Sequence, residues 1–190
     1  EEFYETLRYY AKQIELTGVN LQLGQRVNVA DLNDSDFDDV VIASGISPRT
    51  PDIEGVDNKK VLSYLDVIKG AEVGKKVAVI GAGGIGFDVS EFLTHSGTAT
   101  SQNIEAFMKE WGVDMTFTAR SGIEGVEAQV SESPREVYLL QRKASKIGKG
   151  LGKTTGWIHR TGLVNKGVRM VPGCEYHKID DEGFHVSING

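Results

Sequence analysis

Residues 75–86 read Lys-Lys-Val-Ala-Val-Ile-Gly-Ala-Gly-Gly-Ile-Gly, and no other stretch limits the possible folds of this chain so strongly. Residues 77–80 form a short apolar run suited to a buried parallel strand. Residues 85–93 (Ile-Gly-Phe-Asp-Val-Ser-Glu-Phe-Leu) supply a helix directly behind the glycines. A strand that turns at once into a helix begins a βαβ unit. Gly81, Gly83 and Gly86 have the spacing with which such a turn accepts a dinucleotide. Gly81 permits the tight turn, and Gly83, with Gly84 beside it, lets backbone N–H groups approach a pyrophosphate without a Cβ. Gly86 lets the helix pack closely on the strand. The helix N-terminus adds unsatisfied donors and partial positive charge facing the anion.

The 190 residues allow one large or two small domains, and 39% hydrophobic with 25% charged residues is the composition of a globular protein. A net charge of −6 argues against a general nucleic-acid or membrane-surface binder. No apolar run has the length of a membrane span and nothing resembles a signal peptide, so the expected compartment is the cytoplasm. Cys174 is the only cysteine, which excludes an internal disulfide, a CxxC redox pair and a self-contained four-cysteine cluster. It is expected to be a buried structural thiol. His95, His159, His177 and His185 lack metal-ligand spacing, and no metal site is expected. The chain opens at Glu1 and stops at Gly190 just after a strand-like stretch, and it reads as a piece of something longer.

Along the chain, Phe3, Leu7, Tyr10 and Ile14 share one face of an amphipathic helix over 2–17 that Gly18 ends. Strands are expected at 19–23, 25–29 and 38–43, followed by a proline-bearing irregular segment and a short helix near 63–69. A second unit starts at Lys75: strand 77–80, helix 84–95, strand 136–140, helix 154–166 and strand 168–171. A hairpin over 174–189 then turns at 180–183. The order strand, helix, strand implies a parallel sheet with a right-handed crossover. In a compact unit the residue that recognises the adenosine ribose lies about 20 residues beyond the glycines, near Glu105. Glu105 does not end a strand. The end of 136–140 is the better match, so residues 96–134 form an insertion in the first crossover, a surface subdomain or partner contact.

Gln141, Arg142 and Lys143 follow that second strand, where an NAD-selective unit would place a carboxylate for the ribose 2′-hydroxyl. Arg142 and Lys143 instead suit the 2′-phosphate of NADPH, the guanidinium as a planar fork and the ammonium as a point charge. Residues 146–155 resemble a phosphate-binding P-loop, but Ile147 stands where that loop requires glycine. The stretch is read as a flexible loop beside the nucleotide, with Trp157, Ile158, Thr161 and Val164 as the packed face of the next helix.

The stretches 61–67 (Val-Leu-Ser-Tyr-Leu-Asp-Val), 81–88, 100–104 (Thr-Ser-Gln-Asn-Ile), 139–146 (Leu-Leu-Gln-Arg-Lys-Ala-Ser-Lys) and 150–161 (Gly-Leu-Gly-Lys-Thr-Thr-Gly-Trp-Ile-His-Arg-Thr) together resemble the bacterial NADPH-dependent 2,4-dienoyl-CoA reductases, over nearly all of the chain. That resemblance implies a Rossmann-like FAD/NAD(P)-binding α/β fold with a hairpin, joined to part of a second α/β domain. It places part of an FAD-binding domain at 1–70 and an NADPH-binding domain at 75–190 that lacks its last strand. It implies that Gly81, Gly83, Gly84 and Gly86 hold the NADPH pyrophosphate and that Arg142 and Lys143 hold its 2′-phosphate. Ala43, Ser44 and Gly45 would be the counterpart of an Ala-Thr-Gly turn near FAD, with Ser replacing Thr, and the Val27 backbone would meet the FAD adenine. FMN, a 4Fe-4S cluster and the proton-donating residues would lie elsewhere in a longer flavoenzyme, so no catalytic residue is expected in this chain. Two readings stand beside it: a flavin oxidoreductase of the same architecture with another substrate, and a noncatalytic nucleotide-binding module.

Overall fold

The computed structural model describes residues 2–33, 36–97 and 99–190. Glu1, Asp34, Ser35 and Thr98, which fall inside the expected domain and insertion ranges, lie outside the described residues. The chain divides into two compact units, Glu1–Ser47 and Pro48–Gly190.

In the first unit, α1 (Glu2–Thr17) is the expected amphipathic helix, and Gly18 follows it with φ +70. A left-handed residue just past the last turn is a common helix stop. Phe3, Leu7 and Tyr10 of its apolar face are exposed, and Tyr9 meets Tyr10 edge to face at 5.3 Å. The strands expected at 19–23, 25–29 and 38–43 do not form. The described residues there are irregular, apart from Val29, which begins the short helix α2 (Val29–Asn33). The segments have strand composition, but among the described residues of this unit no neighbouring strand pairs with their N–H and C=O groups, and composition alone does not make a ladder.

In the second unit, Ser63 starts α3 (Tyr64–Ile68) through a capping box with Asp66. The hydroxyl and N–H of Ser63 both donate to the Asp66 carboxylate and hold its pKa below the ordinary value. β1 (Lys76–Ile80) leads into α4 (Gly84–Thr94), and the crossover returns to β2 (Glu136–Leu140), then α6 (Gly156–Asn165) and β3 (Arg169–Val171). The three strands are parallel in the order β1-β2-β3, with Ile80 opposite Leu140 and Leu140 opposite Val171. Val137, Leu139, Phe87, Leu93, Leu163 and Ile147 form the centre of the core. Two hydroxyls buried on α4 are satisfied within the helix: Ser90 donates to Gly86 O and Thr94 to Ser90 O.

The interruption between α4 and β2 carries α5 (Ile104–Glu110) and two short 3-10 turns. Its two ends are tied together, since Arg135 Nη1 donates to Leu93 O at 3.2 Å. Lys166, the C-cap of α6, pairs with Glu110 at 3.1 Å and donates to Ser131 Oγ at 2.6 Å. Helix α4 descends as β1 ascends, so all of these contacts lie at the end of the sheet where the strands begin. The insertion is therefore attached opposite the glycine turn.

β4 (Cys174–Ile179) and β5 (Phe184–Ile188) form the expected hairpin, and Cys174 is buried with its thiol directed at Val171 O. Residues 53–61 pack on this hairpin: Ile179 N–H donates to Glu54 O, and Lys60 reaches the carbonyls of Asp180 and Asp181. Among the described residues, no helix is long and apolar enough to cross a membrane.

Candidate nucleotide-binding site

The site follows from the β1–β2 register. Because Ile80 lies opposite Leu140, the chain leaves the two strands at neighbouring positions, Gly81 beside Gln141, about one inter-strand spacing of 4.8 Å apart. Gly81 N–H donates to Leu140 O at 3.0 Å and so extends the ladder by one bond before the turn. Gly81 then adopts φ +102, which a residue with a side chain rarely does. Gly83 is the N-cap of α4 and has no side chain with which to cap it. A Cβ built on Gly81, Gly83 or Gly84 would meet no atom within 4 Å beyond its chain neighbours and its own helix backbone, so these three glycines line an open face. At Gly86 a Cβ would come within 1.9 Å of Gly81 O and 3.4 Å of the Leu139 side chain. That glycine is required by packing, whereas the other three leave room for a ligand.

Past β2, Arg142 and Lys143 are exposed, and among the described residues neither forms an ion pair with a carboxylate. Arg142 lies close enough to Tyr176 to oppose the burial that raises the pKa of that phenol. Glu105 lies in the first turn of α5, at the insertion end of the unit. The structure thus puts the end of the displaced second strand, not Glu105, beside the glycine turn.

Two expectations need correction. The buried residues of α6 are Gly156 and Leu163, with Arg160 half-buried between them, while Trp157 is 62% exposed and Ile158 and Val164 are also exposed. Gly156 faces inward because a Cβ there would come within 2.6 Å of the Leu151 side chain. Arg160 donates to Ile147 O, a bond between two chain segments that periodicity does not reveal. The 146–155 segment is likewise no free loop. Ile147 is 2% exposed, and a Cβ on Gly148 would sit 3.0 Å from the Phe87 ring. Lys146, Lys149 and Lys153 remain exposed on this anchored segment.

Val27, Ala43, Ser44 and Gly45 all belong to the first unit, outside helix and strand. Val27 is exposed and Gly45 has φ +78. Pairing of β4 with β5 also gathers Asp180, Glu182 and His185, whose ligand atoms lie within 4.8 Å of one another. Sequence spacing of the histidines does not show this group. Asp180 is already engaged by Lys178, His185 and the turn N–H groups of Glu182 and Gly183, which hold its carboxyl well below the usual range.

The open glycine face, the N-terminal turn of an 11-residue helix and two exposed cations past the adjacent strand end could hold a dinucleotide. A family model described as pyridine nucleotide-disulphide oxidoreductase matches residues 5–189. A metal reductase of Desulforamulus reducens is 24% identical over 195 residues, covering 100% of this chain and 28% of that protein. A cinnamate reductase of Clostridium sporogenes is 34% identical over 92 residues, 48% of this chain and 14% of its own length. Among solved structures, a 2-naphthoyl-CoA reductase complex superposes with a TM-score of 0.67 at 24% identity, covering 100% of this chain and 23% of that one. The chain spans less than a third of the length of each of these proteins.

Proposed function

The chain belongs to the pyridine nucleotide-disulphide oxidoreductase family, and we propose that it is the NADPH-binding part of a flavin-dependent reductase of 2,4-dienoyl-CoA type. The observation that carries the cofactor choice is the pair Arg142–Lys143, exposed and without an ion-pair partner among the described residues, beside the glycine turn where an NAD-selective unit would carry a carboxylate. In this reading Gly81, Gly83 and Gly84 admit the pyrophosphate to the N-terminus of α4. Gly86 holds that helix against β2, and Arg142 and Lys143 take the 2′-phosphate. Bound NADPH supplies the hydride; these residues bind and orient it. Residues 1–70 are assigned to part of the FAD-binding domain and the connection that follows it, with Val27, Ala43, Ser44 and Gly45 at the flavin nucleotide, and residues 75–190 to the NADPH domain. FMN, the 4Fe-4S cluster and the acyl-CoA site are assigned to the rest of the parent protein. The acyl-CoA substrate rests on the resemblance of 139–146 and 150–161. The names of the metal and cinnamate reductases favour a second reading, the same electron-entry module serving another acceptor.

Two charge-assisted contacts of about 1.5–3 kcal/mol each correspond to a preference for NADPH over NADH of roughly two to four powers of ten. Titration of the full-length protein with both nucleotides is expected to show that preference, and Arg142→Ala/Lys143→Ala is expected to bring the two affinities together. Equal affinities in the unaltered protein would remove the 2′-phosphate assignment. NADPH-dependent reduction of cinnamate but not of a dienoyl-CoA would select the second reading.

A further inference from the structure

The residue at the position where a ribose-binding carboxylate would stand is Gln141, and its amide is engaged by the loop that follows it. Its Nε2 donates to Lys143 O at 2.8 Å and to Ser145 O at 2.9 Å. Both neighbours are carbonyl oxygens, so the amide nitrogen must be the atom that faces them. The same short loop is fastened from the backbone. Gln141 N–H donates to Val171 O at 3.0 Å, Cys174 N–H to Gln141 O at 2.9 Å and Gly173 N–H to Lys143 O at 3.1 Å. The Lys143 carbonyl thus accepts two hydrogen bonds, one from the start of β4 and one from the Gln141 amide. The two side-chain bonds close residues 141–145 into a loop, and residues 142–146, Arg142 and Lys143 among them, are exposed on it.

We propose that Gln141 is a positioning residue for nucleotide selection: its amide folds the 141–145 loop so that Arg142 and Lys143 are presented together to a 2′-phosphate. The inference rests on the assignment of those two cations to the 2′-phosphate and adds the residue that sets their placement. It also explains why an amide stands where the other nucleotide class requires a carboxylate. A carboxylate at 141 would lose both donors, would face two carbonyl oxygens, and would be pushed outward toward the ribose 2′-hydroxyl. One position would then govern both sides of the choice, by clasping the cationic loop and by withholding the acid.

The test uses the full-length, flavin-loaded protein and dissociation constants for NADPH and NADH measured by fluorescence titration. Gln141→Leu is expected to weaken NADPH binding about tenfold while NADH binding changes by less than about twofold. Gln141→Glu is expected to weaken NADPH at least as much and to strengthen NADH. General damage to the site does not produce that opposite movement, so the second variant decides the matter if the first folds poorly. Equal losses for both nucleotides in Gln141→Glu, or no change in either, would overturn the proposal. Arg142→Ala/Lys143→Ala separates the two levels. If it abolishes the preference while the Gln141 variants keep it, Gln141 has no positioning role and the 2′-phosphate assignment stands. If the double variant keeps the preference, the assignment itself is wrong and the role of Gln141 falls with it.

Discussion

Val40-Val41-Ile42 in the first unit and Val77–Ile80 in the second have nearly the same composition, yet only the second is a strand. Val41 and Ile42 are 88% and 83% exposed, whereas Val137 and Leu139, on the strand that pairs with 77–80, are 1% and 0% exposed. The difference lies in what surrounds them. In Pro48–Gly190, β1 finds β2, and α4 covers the sheet so that backbone pairing and side-chain burial reinforce each other. Among the described residues of Glu1–Ser47 there is no sheet for the apolar residues to join. A β-strand is a property of a pair, and strand-like sequence without a partner stays in coil.

The strongest way to break this comparison is to truncate one member of each set. Leu139→Ala is expected to cost the second unit about 2–5 kcal/mol, and Val41→Ala less than about 0.5 kcal/mol. Both tryptophans, Trp111 and Trp157, lie in the second unit, so their fluorescence in urea reads Leu139→Ala, while far-UV circular dichroism, to which α1 contributes, reads Val41→Ala in the first. Comparable losses from the two variants would show that 38–43 is packed after all.

A smaller effect sharpens the comparison within the glycine turn. Gly86→Ala puts a Cβ against the Gly81 carbonyl and is expected to cost about 1–3 kcal/mol in thermal unfolding. Gly83→Ala enters open space, and it is expected to leave the unfolding midpoint nearly unchanged while weakening the nucleotide. Reversed effects would exchange the roles given to the two glycines.

The smallest expected effect concerns the attachment of the insertion. Burial raises the pKa of Glu110, but hydrogen bonds from Thr100 and Lys166 outweigh it and leave the carboxyl below the ordinary 4.5. The ionised form is therefore the one the fold favours. Its contribution is fully present above that ordinary value and is lost as pH falls through the lower, folded one. Glu110→Gln is expected to cost about 1–2 kcal/mol at neutral pH. The gap from the unaltered protein should close in urea titrations carried below about pH 4.5. A gap that widens in acid would contradict the assignment.

The parallel unit was legible because its elements carry their own signals: the apolar strand, the glycine spacing and the polar turn 180–183 of the hairpin; in the first unit the Gly18 stop made α1 legible in the same way. The displaced second strand was legible for a related reason, since 136–140 looks like a buried strand and Glu105 does not. The inward face of α6 was not. Gly156 is buried and Arg160 half-buried by what Leu151 and Ile147 do across a turn, and periodicity would assign Trp157 to that face instead. The clasp at Gln141 was equally hidden, because its partners are carbonyl oxygens that every residue possesses. The sequence signal it leaves is only the missing carboxylate.

The central claim is that the strand end at Arg142–Lys143 reads the 2′-phosphate, and two small probes that differ only in that group test it most directly. Isothermal titration of the full-length protein with adenosine 2′,5′-bisphosphate and with adenosine 5′-monophosphate is expected to give at least a hundredfold tighter binding of the bisphosphate. That advantage is expected to vanish in Arg142→Ala/Lys143→Ala. Equal binding of the two probes by the unaltered protein, or an advantage that survives the double substitution, would contradict the account.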